Sequence, residues 1–195
     1  TSLTTSLTTG ATAVGTVGAA ALTNLSLTST TGAIGVGAIT ANTALKTVVI
    51  TATTGQVTAA TVTATGTGTT SMTSYSISTG ANTANNTYGA LSVGTAGTIG
   101  TYTLTAGAST AANTYAAITA SSINTMSLTA GDGGGSHTFA SLNAVGSIGA
   151  LSITTADTIT FTNGANAATS VGSITAVMSG TGAVANIGAM GGTGS

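Results

Sequence analysis

The sequence contains no cysteine, no proline and no tryptophan, and its 195 residues include only one Lys or Arg, two Asp or Glu and one His. Each absence removes something. Without cysteine there is no disulfide and no thiolate metal site, and the redox compartment leaves no mark on the chain. Charged residues are 2% of the total, against roughly 25% in an ordinary soluble domain. They can be named in full: Lys46, Asp132 and Asp157, with His137 as the single imidazole. A formal net charge of -1 gives no basic footprint for phosphate contacts, which argues against nucleic acid as a partner. A neutral surface also lacks the repulsion that keeps proteins apart, so self-association into a homo-oligomer, lattice or fibre is the expected state. No apolar run approaches the ~20 residues of a membrane-spanning helix. The chain opens on Thr1 with neither an initiator Met nor a signal-peptide pattern, as a processed product or an interior piece of a longer polypeptide would.

What is present is Thr, Ala, Gly and Ser, and such a composition suits either a disordered linker or an array whose small residues are needed for close packing. Periodicity favours the array. An apolar-x-x-apolar-x-apolar pattern followed by Ser or Thr occurs as Leu22, Leu25, Leu27, Thr28 and again as Leu45, Val48, Ile50, Thr51. It returns as Met72, Tyr75, Ile77, Ser78, as Ile99, Tyr102, Leu104, Thr105 and as Ile123, Met126, Leu128, Thr129. It occurs once more as Ile148, Leu151, Ile153, Thr154, with a weaker copy at Val171. The first residues of the copies step by 23, 27, 27, 24, 25 and 23, a repeat of about 25 residues. A second element lies sixteen positions into three successive copies, as Tyr88 with Leu91, Tyr115 with Ile118 and Phe139 with Leu142.

Within each copy apolar residues alternate, as in Ile159, Thr160, Phe161, Thr162, which is the two-residue period of a strand. Gly and Asn clusters such as Gly80-Ala81-Asn82, Ala130 to Gly135 and Asn163-Gly164-Ala165-Asn166 read as tight corners. Short strands and corners at this period predict an all-β fold, a parallel β-solenoid in a single segment over 1–195, with an antiparallel β-sandwich as the alternative. About seven coils at ~4.8 Å give a rod roughly 35 Å long. The predicted repeat core is Leu25, Leu27, Val48, Ile50, Tyr75, Ile77, Tyr102, Leu104, Met126, Leu128, Leu151 and Ile153. Proline would break a strand paired on both edges, so its absence fits, and the ends of such a rod would be unpaired strands that need a cap or a continuation.

Catalysis fails by counting, because a solenoid hydrolase or lyase needs clustered carboxylates or a carboxylate with a basic partner. No catalytic residue, no cofactor and no metal site is therefore assigned. Asp132, in AGDGGGSH, is the one metal candidate, for calcium, although it precedes its glycines where a calcium-binding nonapeptide places Asp after them. Asp157 reads as strand-like, and His137, which replaces Asn86 and Asn113 of earlier copies, as a polar corner residue. Thr61, Thr63, Thr65, Thr67 and Thr69 alternate perfectly, so an extended strand would project five hydroxyls from one face. That rank suggests either an ice-binding face or outward filling by a good strand former, and it is not repeated in register in the sequences of other copies. Asn24-Leu25-Ser26 and Asn85-Asn86-Thr87 are sequons, and the dense Thr and Ser would permit O-glycosylation.

The copies LTNLSLTS (22–29), INTMSLTAG (123–131) and IGALSITTADTITF (148–161) resemble the β-strand repeats of secreted bacterial surface-layer proteins and large repeat adhesins. That resemblance implies a place outside the cell, on its surface, in a lattice, sheath or filament. Many such proteins bind calcium through Asp-rich repeats, which are missing here. The expected role is a structural subunit of an extracellular assembly. An adhesin stalk that spaces a binding tip and an ice-binding solenoid are the alternatives.

Overall fold

A computed structural model describes residues 1–18, 21–41, 45–64, 71–81, 84–162 and 170–187, with the side chains of 143–145 left aside. The first coil runs β1 (Ser2–Leu7), β2 (Thr12–Val14), β3 (Val17–Gly18), and the second β4 (Asn24–Ser29), β5 (Ile34–Val36), β6 (Ile39–Ala41). The third runs β7 (Thr47–Ala52), β8 (Val57–Ala59), β9 (Val62–Ala64), and the fourth β10 (Ser71–Thr79), β11 (Thr87–Tyr88), β12 (Leu91–Ser92). There follow β13 (Thr98–Ala106), β14 (Ala112–Tyr115), β15 (Ile118–Ala130), β16 (Ser136–Phe139), β17 (Leu142–Thr155), β18 (Thr158–Phe161), β19 (Ser170–Met178) and β20 (Val184–Asn186).

Every pairing among these strands is parallel, so the chain is a β-solenoid of about seven turns and not a sandwich. Each turn has three walls. The first wall stacks β1, β4, β7, β10, β13, the second half of β15, the second half of β17, and β19. The second wall stacks β2, β5, β8, β11, β14, β16, β18 and β20. The third stacks β3, β6, β9, β12 and the first halves of β15 and β17. β15 and β17 are long because each turns from the third wall into the first without a break, and the register slips between Ala120 and Ser122 where they do so.

The sequence steps reappear as strand register: Met72 lies beside Ile99, Ile99 beside Ile123, Ile123 beside Ile148 and Ile148 beside Val171. An additional coil precedes the first predicted copy, with Ser2 opposite Asn24 and Leu3 opposite Leu25. Its inward positions are Leu3, Thr5 and Leu7, and the Thr in the middle hides the apolar pattern.

Parallel in-register stacking puts each inward residue directly over its counterpart, so the interior is a set of columns. Leu25, Val48, Tyr75, Tyr102, Met126 and Leu151 form one, and Leu27, Ile50, Ile77, Leu104, Leu128 and Ile153 the next; all are buried. Small residues take the tight corner column, with Ser29, Ala52, Thr79, Ala106, Ala130 and Thr155 all buried. On the second wall Tyr88, Tyr115, Phe139 and Phe161 stack face to face with ring centroids 4.8, 4.4 and 4.8 Å apart. That spacing is the rung spacing itself, ~4.8 Å, so main-chain ladder and ring stack reinforce each other. Tyr75 and Tyr102 form a second stacked pair, 5.5 Å apart. Burial raises the phenols of Tyr75, Tyr88, Tyr102 and Tyr115 above the ordinary tyrosine range, so all four act as packing groups and not as acids.

Candidate functional site

Three features of this solenoid could carry function: an inward polar column, an outward face of hydroxyls, and the two ends of the stack.

The polar column lies on the second wall, two residues before the aromatic stack along each strand and so on the same inward side. Its members in order are Thr12, Ile34, Val57, Asn86, Asn113, His137 and Ile159. Asn86, Asn113 and His137 are buried, which corrects the reading of His137 as a corner residue: it sits inside β16, pointing in. The asparagines are there because they stand in for main chain. The N–H groups of Thr12 and Ile34 donate to carbonyls of the next rung, those of Ala33 and Gln56, each at 2.8 Å. At Val57 the equivalent carbonyl, that of Asn85, accepts from Gln56 Nε2 instead, at 2.6 Å. The Val57 N–H is then taken by Asn86 Oδ1 at 2.7 Å. One rung on, Asn113 Oδ1 accepts from Asn86 Nδ2 at 2.7 Å and from the Asn86 N–H at 3.3 Å. A buried amide is tolerated because it satisfies donors that would otherwise be stranded.

His137 is within hydrogen-bonding distance of Tyr115, with Nδ1 and the phenol oxygen 3.2 Å apart, while its buried Nε2 has no partner among the described residues. Burial holds this imidazole below its ordinary value of 6.5, with Asp157 acting the other way. The native state therefore binds the proton less readily than the unfolded chain, so stability is full above about 6.5 and falls as pH drops below it. The urea midpoint is expected to decrease between pH 7.5 and pH 5. A His137→Asn variant, which places in this rung the residue its column already holds at Asn86 and Asn113, should flatten that dependence. An unchanged slope in the variant would show that His137 is not its source.

Asp157 is buried, and it lies in the bend between β17 and β18, not in a strand as its sequence context suggested. Its Oδ1 accepts the N–H groups of Gly133 and Gly134 at 3.0 and 2.7 Å, which pins the glycine corner of the preceding coil, where Gly134 has φ of 76°. Its main chain closes on Thr155, whose Oγ1 accepts from the Asp157 N–H at 3.0 Å and donates to the Asp157 carbonyl at 2.7 Å. Asp132 is exposed at that same corner, and among the described residues no group of three or more His, Cys, Asp or Glu lies together to hold a metal ion. Lys46 is exposed and donates from Nζ to the Ser71 carbonyl at 2.9 Å.

The outward face of the first wall is a hydroxyl lattice. One column reads Thr4, Ser26, Val49, Ser76, Thr103, Ser127, Ser152, Thr175. The next reads Ser6, Thr28, Thr51, Ser78, Thr105, Thr129, Thr154, Val177. Rungs repeat at ~4.8 Å and the two columns, two residues apart on parallel strands, lie about 6.6 Å apart along the strands. Of the rank anticipated at Thr61 to Thr69, Thr61 is exposed and Thr63 half-buried on the third wall, while Thr65, Thr67 and Thr69 lie outside the described residues, as do Asn82 and the 163–166 corner. Thr63 stands in register with Thr40 and Ser92, and Ser92 with Thr119, so the rank does extend across coils at that position. The signal for the larger face was in every copy, in the Ser and Thr interleaved between the apolar positions.

At the ends, β1, β2 and β3 pair only forward and β19 and β20 only backward among the described residues. The inward residues of β19 continue the interior columns but are uncovered: Ile174 is 45% and Met178 56% exposed, where Leu151 and Thr155 beneath them are 1% and 0%. At the opposite end Leu7 is 36% exposed and Leu3 partly buried. No family model, no curated protein and no solved structure matches this chain.

Proposed function

We propose that this chain is a non-enzymatic structural subunit of an extracellular assembly, a surface layer, sheath or fibre, built by self-association of neutral solenoids. The observation that carries the reading is a nearly chargeless parallel stack whose outermost described rung is uncovered: Ile174 and Met178 are exposed over buried Leu151 and Thr155, and among the described residues no strand pairs beyond β19. Natural sheets protect such edges with Lys, Pro or inward charges, and here no charged side chain occurs in 1–41 or 170–187. The extracellular placement rests on the resemblance of the repeat copies to secreted surface proteins.

The test is electron microscopy and sedimentation of the purified chain over a concentration series. Fibres, sheets or mass growing with concentration support the reading, and monodisperse monomers at high concentration sink it. A second reading, an ice-binding solenoid, is favoured by the hydroxyl lattice of the first wall more than by the Thr61 rank. Thermal hysteresis on the same preparation decides it, and its absence removes that reading.

A further inference from the structure

We infer that Tyr115 and His137 form a proton-coupled redox pair, in which Tyr115 gives up an electron to a small one-electron oxidant while its phenol proton passes to His137 Nδ1. The inference is independent of the assembly reading above. The two side chains come from adjacent rungs, β14 and β16, and meet inside the stack with Tyr115 Oη and His137 Nδ1 3.2 Å apart. Both are buried. The contact is unique by counting: the chain has four tyrosines and one histidine, so the other phenols have no imidazole to take their proton. Tyr88 stacks its ring parallel to that of Tyr115 at 4.8 Å. Its buried oxygen has no hydrogen-bonded base, and the side chain it does interact with, that of Thr79, is a hydroxyl.

A phenol that loses an electron alone becomes a radical cation, and a bare charge in an apolar column is costly. Burial closes the opposite order as well, because it raises the Tyr115 phenol well above its ordinary value and no phenolate forms first. Electron and proton therefore leave together, which needs an acceptor within hydrogen-bond reach of the oxygen. His137 supplies one. Burial keeps its imidazole neutral at pH 7, and the tautomer with its proton on Nε2 offers the Nδ1 lone pair to the phenol. The balance is one electron to the oxidant and one proton to Nδ1, leaving a neutral tyrosyl radical and an imidazolium. Asp157 favours the charged imidazole and offsets part of the cost of burying it. The column neighbours of His137, Asn113 and Ile159, do not titrate. An electron vacancy formed on Tyr88 passes to the stacked Tyr115 ring, where loss of the proton traps it.

The test uses the full chain with a photogenerated ruthenium(III) polypyridyl complex as the oxidant, and follows the tyrosyl radical by transient absorbance and electron paramagnetic resonance. Tyr115→Phe keeps the ring in the stack and removes the hydroxyl, and it should lower the radical yield several-fold. Tyr88→Phe should leave the yield unchanged. His137→Asn, which installs the residue its column already holds at Asn86 and Asn113, should slow radical formation about 100-fold, the low end of what a positioned base contributes. In the parent chain the rate should fall in heavy water, because the proton moves with the electron. It should also fall as pH drops below 6.5 and His137 takes up its own proton, with readings confined to the range where β-sheet circular dichroism is unchanged. The His137→Asn variant should lose both dependences.

A radical yield that survives Tyr115→Phe, or that disappears in Tyr88→Phe instead, places the radical elsewhere and overturns the inference. A His137→Asn rate equal to that of the parent overturns it too, since the imidazole then takes no proton. If either variant loses its β-sheet circular dichroism, the parent chain decides: a rate indifferent both to heavy water and to pH across the titration of the imidazole excludes the coupled transfer. None of these outcomes depends on whether the chain assembles.

Discussion

Replacing Phe139 by Ala is expected to destabilise the protein by about 3–5 kcal/mol, at the upper end of core truncations. Phe139 is completely buried in β16, between the ring of Tyr115 at 4.4 Å and that of Phe161 at 4.8 Å. Two stacking contacts go at once, each worth about 0.5–1.5 kcal/mol beyond the area buried. The cavity also cannot close, because the backbone ladder fixes the rungs at ~4.8 Å and the neighbouring rings cannot move together without breaking it. The loss should be directional as well. A stack in which each coil touches only its neighbours behaves as a chain of coupled units, so a weak sixth rung uncouples β17 to β20 from β4 to β10. Hydrogen exchange should accelerate more in the C-terminal strands than in β4 and β7, and the urea midpoint should fall with them. A Leu7→Ala change at the open end, where the side chain is 36% exposed, should cost under about 1 kcal/mol. Equal losses at the two sites would contradict the column architecture.

The columns were legible because a solenoid writes its structure into sequence twice, as alternation along a strand and as recurrence at the coil length. Tyr75, Tyr102, Met126 and Leu151 recur at the register the strands adopt. Unequal steps such as 27 and 24 do not blur the pattern, because the surplus residues loop out at corners and leave the rungs aligned. The first coil is not legible for the complementary reason: Thr5 occupies an inward position in the first described coil, where burial, and so the demand for an apolar residue, is lower.

The polar interior was visible as an alignment but not as a direction. Asn86, Asn113 and His137 share one position in the copies, yet composition gives a polar residue next to a Gly-rich corner no reason to point inward. The reason lies in the hydrogen bonding of a neighbouring rung, where Gln56 has taken the carbonyl that Val57 would have used. Asp157 is a similar case, since its role depends on the N–H groups of Gly133 and Gly134, some 24 and 23 residues away. Alternation and recurrence describe which residues stack; they carry no information on which main-chain donors lack acceptors.

Asn113 provides the sharpest separation between hydrophobic and hydrogen-bonding accounts of this interior. Its column contains Ile34, Val57 and Ile159, and by area alone an Asn113→Leu change adds apolar burial worth about 1.5–3 kcal/mol. The opposite sign is expected. Asn113 Oδ1 accepts both the side-chain and the main-chain N–H of Asn86, and each buried donor left without a partner costs about 1–3 kcal/mol. The net result should be a loss of about 2 kcal/mol, read as a lower urea midpoint at unchanged slope. Asn86→Leu strands only the Val57 N–H and should cost less. In the double variant the Asn86 amide is gone, so one of the donors orphaned by Asn113→Leu no longer exists. The two losses should then fall short of additivity by roughly 1 kcal/mol, the worth of one side-chain hydrogen bond. A stabilised Asn113→Leu protein, or strict additivity across the cycle, would mean that packing rather than main-chain satisfaction keeps these amides inside the rod.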